Sequence, residues 1–434
     1  MTDQESRTPG GLDWKQLYPI LLIIFTNILG AGVILPILPL YAEGQFGGTI
    51  LQITLLSSVY FGAQFIAAPW LGRLADKYGR KPVLILSQMG TVLAFTLFIF
   101  AGPLGTLIDG LGPGLPLTGG LLMLFVARGL DGITGGNITT AQAYVSDIST
   151  EEERAQALGM LQAAFGAGFI FGPAFGGVLA NYGPVIPFIG AAIITTGTLL
   201  LTTFTLKESL PPEGRSAEPA ERRSGIPFNE IIAMRGLVLL LVVGFFGSLA
   251  FSAVPSTFAL YADKILFASA PDPQRAQLYI GLMLTFNGLM QVVTQIGLLK
   301  PLIQRLGERR LLLVGELAII ASFLGVAPAT SAIVVTALFA PFAFGRGVSE
   351  PSLQSLVTRF GSERTHGQLL GLYQSSRSLA LIIGPIWAGI TFQTISPQAV
   401  FLVGSGIMSI AFLFALMLQH AEIPSIGSAR GHGR

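Results

Sequence analysis

Six ionisable side chains stand inside long apolar runs of this sequence, where a charge is costly and most often functional. Arg128 and Asp131 are three residues apart and share one helical face, as do Arg346 and Glu350, four apart; Arg377 and Glu316 lie in runs of their own. Burial favours the neutral acid and a nearby guanidinium favours the carboxylate, so a carboxyl held away from water exchanges its proton when its surroundings change. A guanidinium keeps its proton, and an arginine acts on such an acid only by approaching or leaving it. The chemistry open to these residues is therefore proton exchange. Asp131 is the first candidate carrier, with Arg128 as its regulator, and Glu316 and Glu350 follow in that order. Plainer readings stand beside these: Arg128–Asp131 and Arg346–Glu350 as static ion pairs, and Glu316 as a side chain reaching to Arg309 or Arg310.

Other chemistries find no residues here. The chain has no cysteine, hence no disulfide or thiolate, and its three histidines, His366, His420 and His432, lack metal-ligand spacing. There is no evident Ser/His/Asp set, so an enzyme, a metal centre and a cofactor are not expected. Polar residues do recur at helical spacing: Asn287, Gln291 and Gln295 in one run, Tyr60 and Gln64 in another. They suit either a polar cavity or hydrogen bonds between helices. Phe245, Phe246 and Phe251 would suit an amphiphilic cavity or lipid. Gly168, Gly172 and Gly176 recur every four residues and let another helix approach closely, while Pro173 removes a backbone donor and should kink the helix.

The elements that position these residues are membrane helices. Of 434 residues 51% are hydrophobic and 11% charged, against about a quarter charged in soluble domains. Apolar runs of about twenty residues number twelve: 17–41, 50–72, 82–102, 118–142, 156–180 and 185–205, then 236–262, 277–299, 311–328, 332–358, 367–392 and 398–419. The expected division is an N-terminal segment 1–16, a six-helix bundle 17–205, a linker 206–235 rich in Pro, Glu and Arg, a second bundle 236–419 and a tail 420–434. A short interfacial helix is expected near 228–234. Lysines and arginines gather in both terminal segments and the even-numbered loops, which places both termini in the cytoplasm. The first residues lack the form of a cleavable signal peptide.

The two bundles echo one another. Leu158-Gly159-Met160-Leu161-Gln162 followed by Gly172-Pro173 and Gly177 is answered, at identical spacing, by Leu370-Gly371-Leu372-Tyr373-Gln374 followed by Gly384-Pro385 and Gly389. Arg128-Gly129 is answered by Arg346-Gly347, and Gly79 before Arg80-Lys81 by Gly307 before Arg309-Arg310. A duplicated six-helix unit is one known transporter design, with its binding site between the repeats. The fold class expected is an all-α membrane protein of twelve helices in two pseudo-symmetric halves.

Gly72-Arg73-Leu74-Ala75-Asp76-Lys77-Tyr78-Gly79-Arg80-Lys81, the short link between the second and third spans, resembles the signature of the major facilitator superfamily, G-x-L-a-D-r-x-G-r-k. The string from Gly168 to Gly177 resembles the G-x-x-x-G-P-x-x-G-G of its proton-coupled antiporters. Ala68-Pro69-Trp70-Leu71-Gly72, Pro82-Val83-Leu84 and Gly132-Ile133-Thr134-Gly135 look like the tetracycline/proton antiporters and related twelve-helix drug exporters. The resemblance implies a proton-coupled exporter of drug-like or amphiphilic small molecules that alternates between inward-open and outward-open forms. It implies a latch of Gly72, Asp76, Gly79 and Arg80, with Asp76 set against a helix N-terminus of the other half in the outward-open form; residues 367–370 are the candidate.

By the same resemblance, the fourth helix at mid-membrane is reachable from both sides, and Asn27 stands where tetracycline exporters carry an essential aspartate. An asparagine cannot exchange that proton. The substrate cavity expected comprises Asn27, Tyr60, Gln64, Asn287, Gln291, Arg346, Gln374 and Arg377. The partners expected are a small-molecule substrate, protons and membrane lipids, with no nucleic acid, for a monomer in the cell inner (plasma) membrane. A transporter of a defined metabolite, sugar or lipid is the alternative within the fold, and a receptor or enzyme the alternative outside it.

Overall fold

The computed structural model describes residues 14–111, 117–135, 137–210, 226–268, 273–361 and 365–424. The expectations for residues before 14, for 211–225 of the linker and for the tail beyond 424 lie outside the described residues. The first half runs α1 (Trp14–Phe46), α2 (Ile50–Tyr78), α3 (Arg80–Ile99), α4 (Ala101–Asp109), α5 (Gly119–Thr134), α6 (Asn137–Ile148), α7 (Glu151–Ala180) and α8 (Ile186–Thr205). After α9 (Phe228–Ala233), the short helix expected in the linker, come α10 (Arg235–Phe251), α11 (Ala253–Tyr261) with a π-helical turn Ala262–Leu266, and α12 (Pro273–Val293) with a π-helical turn Thr294–Leu298. Then follow α13 (Leu299–Val326), α14 (Ala332–Thr358), α15 (His366–Thr394) and α16 (Ala399–Met417).

Among the described residues, eight segments are long and apolar enough to cross a membrane by themselves: α1, α2, α3, α7, α8, the run from α10 through its π turn, α14 and α16. The remaining four spans are those that polar residues or breaks interrupt. The fourth is split into α5 and α6 at Gly135, and the eighth carries Asn287 and Gln291 and continues through a π turn into α13. Gly307 leaves helical geometry at φ 73°, ψ 160°, so the ninth span is the part of α13 from residue 308 onward. The eleventh, α15, contains Gln374 and Arg377. The short α4, at the end of the third span, went unanticipated.

Thr49 starts α2 with a capping box: its hydroxyl accepts from Gln52 N–H at 3.3 Å, and Gln52 Oε1 accepts from Thr49 N–H at 2.9 Å. Gly79, at φ 104° and ψ 162°, then turns α2 into α3, a conformation that a side chain would strain. Gly307 makes the same turn in the second half.

The apolar core is continuous at one end of the bundle and divided at the other. At the end carrying Glu43, one cluster joins both halves, with Ile37, Ile53 and Phe98 beside Phe258, Ile280 and Phe392. At the end carrying Gly79 each half keeps its own cluster, Leu17, Ile20 and Tyr144 in the first and Leu237, Leu240 and Tyr373 in the second. Polar contacts between the halves follow suit. Lys264 pairs with Glu43 at 2.7 Å, Leu51 N–H donates to Gln393 Oε1 at 3.0 Å, and the Thr285 hydroxyl donates to Ile170 O at 2.9 Å. Along α7 and α12, a Cβ on Gly177 would lie 3.0 Å from Gln277 O and one on Gly166 would lie 3.6 Å from Val292. Nearer the Gly79 end, a Cβ on Gly159, Gly297, Gly367 or Gly371 would meet nothing within 4 Å. The halves are joined at the Glu43 end and part toward the Gly79 end.

Candidate functional site

The expected proton-coupling and cavity residues gather into one buried network in each half, with Glu316, Asn27, Asn287 and Gln291 apart from both. In the first half, Arg128 Nη1 donates to Asp131 Oδ2 at 3.1 Å, and both side chains are buried. The guanidinium lies over the Tyr60 ring at 4.1 Å and its Nε donates to Leu56 O at 3.5 Å. Gln64 Nε2 donates to Gly135 O at 3.0 Å, across the break between α5 and α6. The Tyr60–Gln64 stripe thus binds α2 to α5.

In the second half Glu350 is the hub. Arg377 Nη1 reaches its Oε1 at 2.8 Å and Arg346 Nη2 its Oε2 at 3.6 Å; the Tyr373 hydroxyl and Gln354 Nε2 donate to Oε1 at 3.2 and 2.9 Å. Arg377 also reaches Gln374 Oε1 at 3.3 Å and Ser248 Oγ at 3.4 Å, while Arg346 lies over the Phe251 ring at 4.2 Å. Phe251 in turn stacks on Phe342, and Phe246 on Phe414. Two guanidiniums, a tyrosine and a glutamine all converge on the Glu350 carboxyl. It is the most firmly tied of the three acids.

Glu316 differs. It is 1% exposed, its Oε2 has no hydrogen-bond partner, and it enters no ion pair among the described residues. Among the described residues it pairs with neither Arg309 nor Arg310, and Arg309 donates instead to Leu418 O and Gln419 O at the end of α16. Asn27 Nδ2 and Asn287 Oδ1 are likewise buried without a partner, and Gln291 sits half-buried where α12 packs on Gly347.

The glycine face of α7 packs against α1. A Cβ on Gly168 would lie 2.6 Å from Phe25 O, one on Gly172 2.7 Å from Gly32 Cα, and one on Gly176 3.0 Å from Val33 O. Gly177 turns to α12 instead. Pro173 sits inside α7, which continues as helix from Glu151 to Ala180; the expected kink produces no break there.

Asp76 does not meet residues 367–370 in this structure. Its carboxylate is 64% exposed and pairs with Arg80 Nη1 at 2.6 Å, while Arg80 Nε reaches Asp147 at 3.1 Å. The reason is the parting of the halves at this end, which leaves α15 out of reach. Glu208, which the sequence reading did not select, accepts from Arg80 N–H and Lys81 N–H at 2.8 and 3.2 Å and so caps α3. Asp147, Tyr373 and Ser248 also went unselected. Tyr373 was visible within the repeated Leu-Gly-Leu-Tyr-Gln string, whereas nothing local marks Glu208, whose partners lie 128 and 127 residues away.

The family model described as Major Facilitator Superfamily matches residues 20–272 and 266–433. The chain is 30% identical over 404 residues to the class D tetracycline resistance protein of Salmonella ordonez, covering 92% of this chain and 96% of that protein. To Multidrug resistance protein 2 of Bacillus subtilis (strain 168) it is 29% identical over 392 residues, covering 87% and 89%. Among solved structures it superposes on a bacterial homologue of the human lysosomal transporter Spinster, in an inward-facing and unoccupied conformation. That match has a TM-score of 0.72 and 15% identity, and covers 95% of this chain and 98% of the other.

Proposed function

The chain belongs to the major facilitator superfamily, and we propose that it is a proton-coupled exporter of drug-like, amphiphilic small molecules working by alternating access. The observation that carries this reading is the likeness, along 92% of the chain, to a protein named for tetracycline resistance, seconded by one named for multidrug resistance. A multi-pass transporter of this family needs no enzyme chemistry. Asn27 at the place of the exporters' aspartate favours an amphiphile other than tetracycline.

The working parts are two bundles, 17–205 and 236–419, with both termini and the Gly79 end in the cytoplasm. On that assignment the described form is open to the inside: a substrate enters between the parted halves and leaves once the Glu43 end separates. Glu316 takes the first place as proton carrier, ahead of Asp131 and Glu350. A carboxylate buried without a partner is costly, so this group takes or releases a proton according to whether Arg346 or water reaches it. Asp131 and Glu350 are already held by guanidiniums. Arg377, Gln374, Asn27, Asn287 and Gln291 are the proposed substrate contacts.

Everted membrane vesicles containing the protein test this reading. An amphiphilic fluorescent dye should accumulate when a proton gradient, acid inside, is imposed, and a protonophore should release it. Accumulation that survives the protonophore would remove the proton coupling. A drug-susceptibility panel in an efflux-deficient host, run in parallel, would remove drug export if no compound became less toxic.

A further inference from the structure

The Gly79 and Gly307 turns are built alike, and comparing them exposes an unfilled place. In the first half, Lys81 Nζ donates to Thr203 O at 2.8 Å, at the end of α8. In the second, Arg309 donates to Leu418 O at 3.0 Å, at the end of α16. The Arg80–Asp147 ion pair is answered, with its signs exchanged, by Glu308 and Arg359. One component is missing. Glu208 caps the start of α3 with its carboxylate, and Ser209 and Leu210 N–H also donate to it, at 3.1 Å each. Counting from the corresponding leucine, Leu206-Lys207-Glu208 is matched by Leu418-Gln419-His420, and no carboxylate stands in that position.

A cavity of about 430 Å³ lies at the opposite, Glu43 end, but here, at the Gly307 turn, there is one of about 320 Å³ lined by Gly307, Glu308, Arg309, Arg310, Arg359 and Gln419. Three guanidinium groups face one carboxylate. Arg359 Nε and Gln419 Nε2 are buried with no partner among the described residues, and leaving such donors unmade is unfavourable. Arg310 is exposed at the rim. Fork-shaped guanidinium donors match the oxygens of phosphate. The turn ends a membrane-spanning helix, and so lies at the level of lipid headgroups.

We infer that the cavity at the Gly307 turn binds a phosphate-bearing anion, which does for the start of the ninth span what Glu208 does for the third. Its source is either the headgroup of an anionic phospholipid or free phosphate. The bound anion joins the Gly307 turn of α13 to the ends of α14 and α16.

The test is thermal unfolding of the purified full-length protein in a neutral detergent, titrated separately with dioctanoyl phosphatidylglycerol, dioctanoyl phosphatidylcholine and inorganic phosphate. Phosphatidylglycerol should raise Tm and phosphatidylcholine should not. A matching rise with inorganic phosphate assigns the soluble anion, and its absence assigns the headgroup. Arg310→Gln should weaken the response roughly 10-fold, the size expected for losing a charged hydrogen bond. Gln419→Glu places a carboxylate in the cavity and should abolish the response; Arg310→Gln, changing an exposed side chain, serves where Gln419→Glu folds poorly. The inference is overturned if neither anion shifts Tm, or if Arg310→Gln responds as the wild type does.

Discussion

Lys264 and Glu43 form a 2.7 Å ion pair that ties the π-helical turn after α11 to the end of α1, and so joins the two halves where their cores are continuous. The side chains are 38% and 28% exposed, and a pair this wet contributes about 0.2–1 kcal/mol. Such a sum is minor for folding but moves a two-state equilibrium by up to about 5-fold. Lys264→Gln should therefore populate the form open at the Glu43 end without unfolding the protein. The chain has no native cysteine, so spin labels on cysteines introduced across that end report the distance cleanly. A distance distribution identical to that of the wild type would show that apolar packing alone closes this end.

Asp76 presents the opposite case, a group whose proposed partner belongs to another conformation. In this structure it is an exposed partner of Arg80, so Asp76→Asn should change stability by less than about 1 kcal/mol. Transport should nevertheless fall. When the Gly79 end closes, a carboxylate set at the start of α15 would gain up to ~2 kcal/mol from the helix dipole, and asparagine would lose most of that. Normal transport by a normally expressed Asp76→Asn protein would rule out the latch.

Gly172 and Gly32 pack backbone to backbone: a Cβ on either would lie within 3 Å of the other's Cα. Leucine at 172 must push α1 and α7 apart, at a cost of about 1–3 kcal/mol. The same substitution at Gly176 meets Val33. Each variant should insert yet transport poorly or leak protons, as read by dye accumulation and by internal pH. Wild-type behaviour of both would contradict the packing seen here.

The glycine face and the paired turns were legible because they depend on local spacing. Gly168, Gly172 and Gly176 share a face by arithmetic, and Gly79 and Gly307 announce themselves in repeated strings. The spans were legible even where Asn287, Gln291, Gln374 or Arg377 interrupts them, because about twenty mostly apolar residues still stand between loops. The Arg128–Asp131 pair was legible from its three-residue spacing, but partners supplied by other helices were not. Arg346–Glu350 looked like a pair because the two are four residues apart, yet the shorter contact to Glu350 comes from Arg377 on another helix. Glu316 looked able to reach Arg309 or Arg310, yet it is buried with no ion pair among the described residues. These outcomes depend on how distant helices pack, and one-dimensional spacing does not encode that.

Glu316 and Asp131 can be separated by experiment because their substitutions should fail in different ways. Glu316 has no ionic partner among the described residues to abandon, so Glu316→Gln keeps its shape and should fold with nearly unchanged Tm. It removes the exchangeable proton, and energised accumulation of substrate should vanish while downhill exchange persists. Asp131→Asn instead leaves Arg128 charged and buried with no counter-ion, a change that typically costs about 3–5 kcal/mol. Its expression and Tm should drop, and lost transport by that variant alone would not assign a proton to Asp131. The double variant Arg128→Gln/Asp131→Asn neutralises both partners and should regain most of the lost stability, since replacing a whole buried pair is far milder than breaking it. If the pair is structural, the double variant also regains proton-driven accumulation. A double variant that recovers Tm but not accumulation, beside a Glu316→Gln protein that still concentrates substrate, would return the carrier role to Asp131.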